Sequence, residues 1–556
     1  MNVETFFEKF NQFADAPDAV AKMRNLVLNL AVQGKLVPQN PEDEPADQLL
    51  KRTASQQEKL RKNRPKTTLE ESLHPFDLPK GWTWATFPAL GEFGRGKSKH
   101  RPRNDPSLYH AGTYKLVQTG DVARANGEVQ TYTALYNDTG LAQSRLWPKG
   151  TMCITIAANI ADSGILGFDA CFPDSVVGFI PHDDLPSVQY FEYFLRTAKD
   201  HLEKYAPSTA QKNINLGILE QVMIPLPPAA EQSRIVAKVD ELMALCDRLE
   251  AQQQERDTQQ AALARASLAR FADAPTPANL NFLFHSSYHI PPADLQKSIL
   301  SLAVQGKLVP QDPNDERIER VLAEMRSRRE ELIASGEIRE PKKQPAVSAK
   351  QAPFELPDGW LWERWGNICD WITYGFTKPM AHVDSGPPII TAKNVRNGFL
   401  DLENTHYAEE NEFAALRPKD RPKKGDILIV KDGATIGRAA MVDFSDSFCI
   451  SQTVAVLWRR SCLLHGAFLL MLIRSPFTQE MIWSKAEGAA MPHLSITDFA
   501  ELIIPIPPVS EQRRIVAKVD QLMALVDELQ TQLTESRATA KNLLEALVAE
   551  LTVSRS

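Results

Sequence analysis

The chain contains the same framework of motifs twice, and this internal repeat is what most limits the folds that it can adopt. Three motifs recur in the same order in each half: Leu-Ala-Val-Gln-Gly-Lys-Leu-Val-Pro-Gln at 30–39 and 302–311, a Gly-Trp pair at 81–82 and 359–360, and Pro-Pro-x-x-Glu-Gln-x-Arg-Ile-Val-Ala-Lys-Val-Asp at 227–240 and 507–520. Between these motifs the two copies differ almost completely. A shared frame with two divergent inserts predicts a protein that recognises two different targets at a set separation.

Composition narrows the class of protein. A chain of 556 residues has room for several domains. It contains no run of 18 or more apolar residues, and its N-terminus lacks a basic segment followed by an apolar one, so we expect neither membrane insertion nor secretion. The six cysteines are scattered, without a Cys-x-x-Cys or a His pair at metal-ligand spacing. This pattern predicts a reduced, cytoplasmic protein without a metal site.

The net charge of −7 does not by itself favour a nucleic-acid partner. Basic residues nevertheless cluster locally, at 61–66, 95–103 and 422–424. Such clusters are typical of solvated surface as well as of phosphate contacts. Charge alone therefore leaves both interpretations open.

The order of parts predicts an α+β protein in which two mixed α/β modules are separated by long helices. The expected boundaries are a helical region with a basic linker at 1–80, a first module at 81–226, a long helix at 227–275, a second helical region with linker at 276–357, a second module at 358–506 and a C-terminal long helix at 507–556. Short runs rich in β-branched residues, such as Met152–Ile156 and Asp426–Val430, predict strands in the modules. The segments Tyr190–Glu203 and Leu463–Ile473 predict helices.

Each long helix has an apolar seam, because apolar residues recur in alternating steps of four and three. The seam residues are Ile235, Val239, Leu242, Cys246 and Leu249 in the first helix, and Ile515, Val519, Leu522, Val526, Leu529 and Leu533 in the second. The alternative is an amphipathic helix that packs on its own domain, but two matched seams favour an antiparallel coiled coil about an internal pseudo-twofold axis. A helix of roughly 40 residues would separate the modules by about 60 Å. Since duplex DNA has local twofold axes, the expected target is two unlike half-sites with a fixed gap.

These motifs, in this order and in both copies, resemble the specificity subunit of Type I restriction-modification systems over nearly the whole chain. Within the modules, Lys424–Gly437 resembles the family's Gly-Asp-strand-Gly segment. The segments at 391–398 and 118–122 resemble its recognition-domain turn, and those at 208–214 and 489–494 resemble the stretch before its closing strand. The first module departs from the pattern, because Thr151 stands where the second module has Asp426 and because its segment 157–164 lacks the Lys-Asp-Gly of 431–433.

The resemblance implies a non-catalytic reader of double-stranded DNA with two target recognition domains, one for each half of a bipartite, asymmetric sequence. It also implies two methyltransferase subunits, which modify adenine at N6 with S-adenosylmethionine, and restriction subunits, which hydrolyse ATP with magnesium. No cofactor is expected in this chain. Because the methyltransferase flips its target base out of the duplex, the reader would have to accept distorted DNA.

Rival chemistries have little support in the sequence. Gly91–Ser98 fits the phosphate-binding pattern Gly-x4-Gly-Lys-Ser, but Pro102 and Pro106 follow where that site needs a helix. No Asn-Pro-Pro-Tyr or Asp-Pro-Pro-Tyr segment of an amino-methyltransferase is present. A non-catalytic tandem-repeat scaffold that binds proteins through its coiled coil remains an alternative. It would explain the repeated frame, but not the divergence of the inserts.

Candidate DNA contacts follow from residue type and from position in loops. For phosphates they are Lys97, Arg101 and Arg103 in the first module and Lys378, Lys393 and Arg396 in the second. For base edges they are Asn159, Gln211 and Asn213 in the first module, and Asn394, Lys431, Arg438 and His493 in the second.

Overall fold

The computed structural model of the chain describes residues 3–60, 76–99, 102–157, 160–204, 214–274, 276–283, 290–486 and 492–552. They form two compact units. Unit 1 contains Met1–Glu255 and Glu535–Ser556, and unit 2 contains Arg256–Thr534. Each unit holds one copy of the repeated frame and one module. The mixed helix and sheet content that the sequence predicts is confirmed in both units.

Unit 1 begins with a helical region and continues into the first module, which we call module 1 (residues 81–226). The helical region contains α1 (Val3–Glu8), α2 (Phe10–Phe13), α3 (Ala19–Val32) and α4 (Ala46–Leu60). Module 1 contains β1 (Thr83–Ala85), α5 (Phe87–Leu90), β2 (Gly91–Arg95), a 3-10 turn (Pro106–Leu108), β3 (Tyr114–Leu116), α6 (Thr119–Ala123), β4 (Gly127–Val129), β5 (Ala134–Tyr136), α7 (Asp138–Ala142), β6 (Leu146–Trp147), β7 (Met152–Thr155), β8 (Ser163–Leu166), β9 (Ala170–Cys171), β10 (Val176–Pro181), α8 (Val188–Lys204), α9 (Leu216–Glu220) and β11 (Ile224–Leu226). Its sheets have the strand orders β2-β10-β7-β8-β4, β5-β3-β9-β6 and β1-β11. The long helix α10 (Ala229–Asp273) follows.

Unit 2 repeats this order around the second module, which we call module 2 (residues 358–506). Its helical region contains α11 (Pro277–Leu283), α12 (Pro292–Val304) and α13 (Ile318–Ala334). Module 2 contains β12 (Leu361–Arg364), α14 (Trp365–Ile368), β13 (Trp371–Tyr374), β14 (His382–Ile390), β15 (His406–Ala408), α15 (Glu410–Ala414), a 3-10 turn (Pro418–Asp420), β16 (Ile427–Val430), β17 (Ala439–Met441), β18 (Cys449–Ile450), β19 (Val454–Trp458), α16 (Gly466–Arg474), α17 (Pro476–Ala486), α18 (Ile496–Glu501) and β20 (Ile503–Ile506). The sheets have the orders β13-β19-β16-β17, β15-β14-β18 and β12-β20. The second long helix is α19 (Val509–Thr552).

The repeated decapeptide ends a helix in each unit. After α3, Gly34 has a φ of +66° and the backbone N–H of Lys35 donates to the carbonyl of Leu30 over 2.9 Å. This is a Schellman cap, which requires a left-handed residue and therefore favours glycine. Gly306, with a φ of +69°, builds the same cap after α12. The identical sequence thus gives the same local structure in both copies.

The three repeated motifs of unit 1 meet around one carboxylate in the first turn of α10. Glu231 accepts the indole N–H of Trp82 over 3.0 Å and the amide N–H of Gln39 over 3.2 Å. A Cβ at Gly34 would lie 3.0 Å from the Trp82 ring, so only glycine leaves room for this packing. The decapeptide, the Gly-Trp pair and the start of the long helix are therefore one structural joint.

Unit 2 forms the same joint. Glu511 accepts from Trp360 over 3.0 Å and from Gln311 over 3.2 Å. Beside it, the guanidinium of Arg514 pairs with Asp315, at 2.6 Å between Nη2 and Oδ2. Burial raises the pKa of the Glu511 carboxyl, while the hydrogen bonds from Trp360 and Gln311 oppose this rise.

The first and last strands of each module pair with each other. Strand β1 pairs antiparallel with β11, with Thr83 opposite Leu226. Strand β12 pairs in the same way with β20, with Leu361 opposite Ile506. The chain therefore leaves the helical frame and returns to it through two hydrogen-bonded neighbours.

All of the seam residues except Leu533 lie in, or pack against, the hydrophobic core of their own unit. The buried ones are Ile235, Val239, Leu242 and Cys246 in unit 1, and Ile515, Val519, Leu522 and Val526 in unit 2. Leu249 and Leu529 pack against the same two cores and are partly buried. This packing agrees with the alternative interpretation of an amphipathic helix lying on its own domain. The pairing of the two seams as a coiled coil stays a prediction.

Both long helices begin in one unit and end in the other. The last turns of α10 contribute Ala264 and Phe271 to the core of unit 2, and those of α19 contribute Leu544 and Leu547 to the core of unit 1. Polar contacts hold the end of α19 as well, because Lys35 Nζ donates to the carbonyl of Thr552 over 2.6 Å. Each helical region is thus completed by a helix that starts in the other copy of the frame.

Candidate nucleic-acid interface

Three loops of module 2 meet at the residue that precedes strand β19. The hydroxyl of Thr453 accepts from the backbone N–H of Ala392, and its carbonyl accepts from that of Lys431, each over 3.1 Å. One residue further on, the carbonyl of Val454 accepts from Gly375 over 3.3 Å. The loops with most of the predicted contacts of module 2 therefore lie at the same end of the sheet, where strand β19 begins. We call this surface the β19 edge, defined by residues 374–378, 391–402, 431–438 and 492–494.

Lys431 and His493, both predicted as base contacts, lie on either side of one carboxylate. Asp432 Oδ2 is 2.7 Å from Lys431 Nζ, and Asp432 Oδ1 is 2.5 Å from His493 Nδ1. Because Nδ1 is held in this way, Nε2 is the ring nitrogen of His493 available to a ligand, and this side chain is 54% exposed. The ring of Tyr374 lies nearby, with Lys431 Nζ 5.2 Å and Lys419 Nζ 5.4 Å from its centroid. Lys431, however, is buried, so the groups that this cluster can offer to a base are the exposed imidazole of His493 and the ring of Tyr374.

Asn394 was predicted to contact a base, and its geometry requires a correction. The residue is buried, and its side-chain oxygen accepts from both the backbone N–H and the hydroxyl of Thr391. Its amide nitrogen donates to the carbonyls of Asp401 and Asn404. All of the donor and acceptor positions of the amide are used. Asn394 therefore shapes the recognition turn, as Asp121 does in module 1 by accepting from the backbone N–H of Gln118.

The predicted cations of the β19 edge differ in their partners. Arg396 is engaged by Asp401, with 2.8 Å between Nη2 and Oδ2. Lys378, Lys393 and Arg438 are exposed, and no side-chain partner is found for them among the described residues. Arg438 directly precedes Ala439, whose carbonyl accepts from Gly398 in the recognition turn. The unpaired cations are the better candidates for contact with a polyanion.

Asp426, in the Gly-Asp segment of module 2, has a structural role. Its carboxylate is fully buried and accepts a fork of two hydrogen bonds from Arg460, over 2.6 and 2.8 Å. Burial raises the pKa of Asp426, against the opposing effect of Arg460. In module 1, Thr151 replaces Asp426 and donates its hydroxyl to the carbonyl of Pro148 over 2.7 Å. The departure from the family pattern at this position is therefore a change of local hydrogen bonding.

Module 1 has the same backbone at the corresponding edge, with different side chains. Ile156 donates its N–H to Ser175 and accepts from Ile214, each over 3.0 Å. Lys431 makes the equivalent two hydrogen bonds: its backbone N–H donates to the carbonyl of Thr453, and its carbonyl accepts from the N–H of Leu494. Ile156 is buried, so module 1 lacks a cation at this place.

The predicted contacts of module 1 are only partly described by the structure. Lys97 is exposed, two residues after strand β2 ends. Arg103 pairs with Asp174, with 2.5 Å between Nη2 and Oδ1. The other four, Arg101, Asn159, Gln211 and Asn213, lie outside the described residues.

The P-loop-like segment of module 1 does not have the structure that a phosphate loop requires. Gly91–Arg95 forms strand β2, and residues 96–99 form no helix after it. A Cβ at Gly96 would lie 2.2 Å from the carbonyl of Phe172, so this glycine serves a close backbone approach. This agrees with the interpretation of the motif as a chance match.

Exposed aromatic side chains were missed by the sequence reasoning. Tyr374 and Phe399 lie on the β19 edge, and Phe399 is 62% exposed. In module 1, Lys115 Nζ lies 4.0 Å from the ring centroid of Phe168, which packs edge-on against the exposed Tyr132. The available signal was an aromatic residue next to a glycine, as in Tyr374-Gly375 and Gly398-Phe399.

Among the described residues, no group of three or more His, Cys, Asp or Glu side chains is arranged to hold a metal ion. None of the helices described is long and apolar enough to cross a membrane.

Comparison with known proteins gives the family. The family model for the Type I restriction modification DNA specificity domain matches residues 80–256 and 376–536. The EcoAI specificity subunit of Escherichia coli is 28% identical over 560 residues, covering 95% of this chain and 93% of that protein. The EcoEI specificity subunit of Escherichia coli is 27% identical over 565 residues with the same coverage. A solved structure from work on the complex assembly and conformational transition of the type I R-M system has the same fold, with a TM-score of 0.50 at 18% identity over 86% of this chain and 99% of that one. With two matched segments that together span more than half of its residues, the chain belongs to the family of Type I restriction-modification DNA specificity subunits.

Proposed function

We propose that this chain is the non-catalytic subunit that reads a bipartite, asymmetric DNA target, with module 1 reading one half and module 2 reading the other. Residues 80–256 and 376–536 match the specificity family, which supports two recognition domains. The β19 edge of module 2 and its counterpart in module 1 are the surfaces that we assign to DNA.

One observation carries this proposal. The two modules make the same backbone hydrogen bonds at this edge but differ in their side chains: one buried position holds Lys431 in module 2 and Ile156 in module 1. A protein that only scaffolds partners has no need of two different surfaces on one frame. A reader of two unlike half-sites does, because base edges are distinguished by the side chains that meet them.

The long helices would set the distance between the half-sites. Glu255 and Glu535 occupy corresponding positions in α10 and α19. Seven residues inserted after each would lengthen each helix by about 10 Å, the length of about three base pairs, and would keep the apolar seam in phase. We expect the gap in the target to grow while both half-sites stay unchanged. A change in either half-site would argue against separate reading heads.

The same chain would dock its partners, two methyltransferase subunits and restriction subunits, through the helical frame. S-adenosylmethionine, ATP and magnesium would belong to those subunits. The support for this is family membership and the duplicated joints of Glu231 and Glu511, which provide the same frame twice.

The first experiment is a map of N6-methyladenine in a methylation-free host that expresses this chain with its neighbouring methyltransferase. The expected result is one asymmetric motif, with two specified blocks and a fixed gap. A stable complex without any methylation, and without specific binding to DNA, would favour the protein scaffold.

A further inference from the structure

The recognition turn of module 2 presents a large apolar side chain to solvent. Phe399 is 62% exposed, more than any other large hydrophobic residue among those described. It directly follows Asn397-Gly398 and lies on the β19 edge. Single exposed apolar side chains are common on proteins, so exposure alone gives Phe399 no role.

Hydrogen bonds hold the turn that carries Phe399 against strand β17 and helix α16. The backbone N–H of Gly398 donates to the carbonyl of Ala439 over 2.9 Å, and the backbone N–H of Arg396 donates to the carbonyl of Phe399 over 3.0 Å. From below, Arg474 Nε donates to the side chain of Asn397 over 3.1 Å. The backbone is thus fixed while the ring remains outside, an arrangement that lowers the entropic cost of placing the ring on a ligand.

Module 1 also has an asparagine-glycine pair at the corresponding place. Gly127 and Gly398 follow an asparagine and have φ values of +105° and +110°. A Cβ on Gly127 would lie 2.7 Å from the guanidinium of Arg196, and one on Gly398 would lie 3.0 Å from that of Arg474. The glycines also make the same kind of parallel contact, Gly127 with Gly164 in strand β8 and Gly398 with Ala440 in strand β17.

The two modules also differ in the residue after the Asn-Gly pair. Module 1 has the exposed Glu128 and module 2 has the exposed Phe399. A carboxylate can accept from the amino group of cytosine, whereas a phenyl ring can only make an apolar contact. Corresponding positions therefore present different chemistries in the two modules.

We propose that Phe399 is a specificity-determining residue that packs against the C5-methyl group of a thymine in the half-site read by module 2. This inference rests on the proposed function. The location favours the major groove, since Arg438 directly precedes the residue that holds the turn and since arginine reads guanine there. The thymine methyl is the one apolar group that the major groove exposes on an unmodified base.

The test uses the complex of the full chain with its methyltransferase and a duplex containing the mapped motif. Each thymine of both half-sites is replaced in turn by deoxyuridine, which removes only the methyl group. We expect one replacement to weaken binding by the wild-type complex by about fourfold, the effect of one buried methyl group. We expect Phe399→Ala to weaken binding to the unmodified duplex by about tenfold, through the lost contact of the whole ring. In Phe399→Ala the same deoxyuridine should cause no further loss of affinity. In Phe399→Leu it should still cause part of the loss seen with the wild type.

Matched variants separate this contact from general effects. Val383→Ala removes another exposed apolar side chain of module 2 and should leave the deoxyuridine penalty at its wild-type size. Circular dichroism and co-purification with the methyltransferase report whether each variant folds.

The inference is overturned if no deoxyuridine weakens wild-type binding, or if Phe399→Ala keeps the same penalty at the same position. A half-site of module 2 without an A·T pair would overturn it too. Each of these results would leave a bipartite motif standing, whereas failure of the proposed function would remove the motif itself.

Discussion

The indole nitrogen of Trp360 lies 3.0 Å from carboxylate oxygen Oε2 of Glu511, although 151 positions separate the two residues in the chain. Trp82 and Glu231 form the same contact at the same distance in unit 1. This contact attaches each module to the long helix that follows it. The repeated motifs of the sequence are therefore the components of one joint, built twice.

Replacing Glu511 by glutamine should destabilise unit 2 by about 1–3 kcal/mol. Trp360 and Gln311 both donate to the carboxylate, and the Gln311 amide also donates to the carbonyl of Gly306 over 2.9 Å. A neutral glutamine would remove the cost of burying a charge. Its amide NH2 group would, however, face one of the two donors, Trp360 or Gln311, where the carboxylate has an acceptor oxygen. Calorimetry should show a lower transition temperature in Glu511→Gln, with the exposed Glu330→Gln as the control. Equal transitions in wild type and Glu511→Gln would contradict this account.

The stability of unit 2 should fall as the pH drops below about 6.5, in part through His465. Burial lowers the pKa of His465, and the nearby charges of Arg513 and Arg459 lower it further. The folded state therefore favours the neutral ring, so its contribution is present above the unfolded pKa and is lost as the pH falls through the folded pKa. His465 also precedes the first turn of α16, where a positive charge opposes the helix dipole.

Thermal unfolding of unit 2 at pH 7.5 and pH 5.5 tests this role of His465. The decrease in transition temperature between the two pH values should be smaller in His465→Asn than in wild type. In the control variant His110→Asn, in unit 1, the decrease should have its wild-type size. If His465→Asn and wild type lost the same amount, other groups would account for the pH dependence.

Arg438→Ala should relax specificity in one half-site only. Arg438 is exposed on the β19 edge, and a bidentate arginine–guanine contact contributes about 1–3 kcal/mol of discrimination. The methylation map of the variant should show one position of one half-site becoming degenerate. Arg438→Lys keeps the positive charge but cannot donate two parallel hydrogen bonds to one base. It should therefore bind more tightly than Arg438→Ala without the full specificity of the wild type. Degeneracy in both half-sites would rule out separate reading heads.

Lys393→Ala should weaken binding to all DNA sequences by a similar factor. Lys393 is exposed and has no side-chain partner among the described residues, as a phosphate contact requires. Loss of one such contact should lower the slope of log affinity against log salt by about 1. Arg396→Ala should have a smaller effect, since Arg396 already pairs with Asp401. Lys350→Ala, in the linker before module 2, is the control, and an unchanged slope in Lys393→Ala would remove this residue from the interface.

Much of the fold could be predicted from the sequence, because it rests on local patterns. The strand predicted at Met152–Ile156 is found at Met152–Thr155, and the one at Asp426–Val430 is found at Ile427–Val430. The helix predicted at Tyr190–Glu203 spans Val188–Lys204. Periodicity and turn residues determine these elements within a few positions.

The candidate site was harder to predict, because it depends on contacts between distant residues. Asn394 has the residue type of a base reader, but the fold uses its whole amide to close a turn. Arg103 has the charge of a phosphate contact, but Asp174 lies 2.5 Å from it. Phe399 carries no charge and was not considered, although a rigid turn presents it to solvent. Which side chains remain unpaired is decided by tertiary structure.

The strand pairs that close each module also have a consequence for inheritance. Thr83 lies opposite Leu226 and Leu361 lies opposite Ile506, so the coding segment between each pair begins and ends at neighbouring points of the frame. Recombination that exchanged this segment between related genes would leave the joints of Glu231 and Glu511 intact. Under the proposed function, such an exchange would supply a new half-site in one genetic event and keep the other half-site.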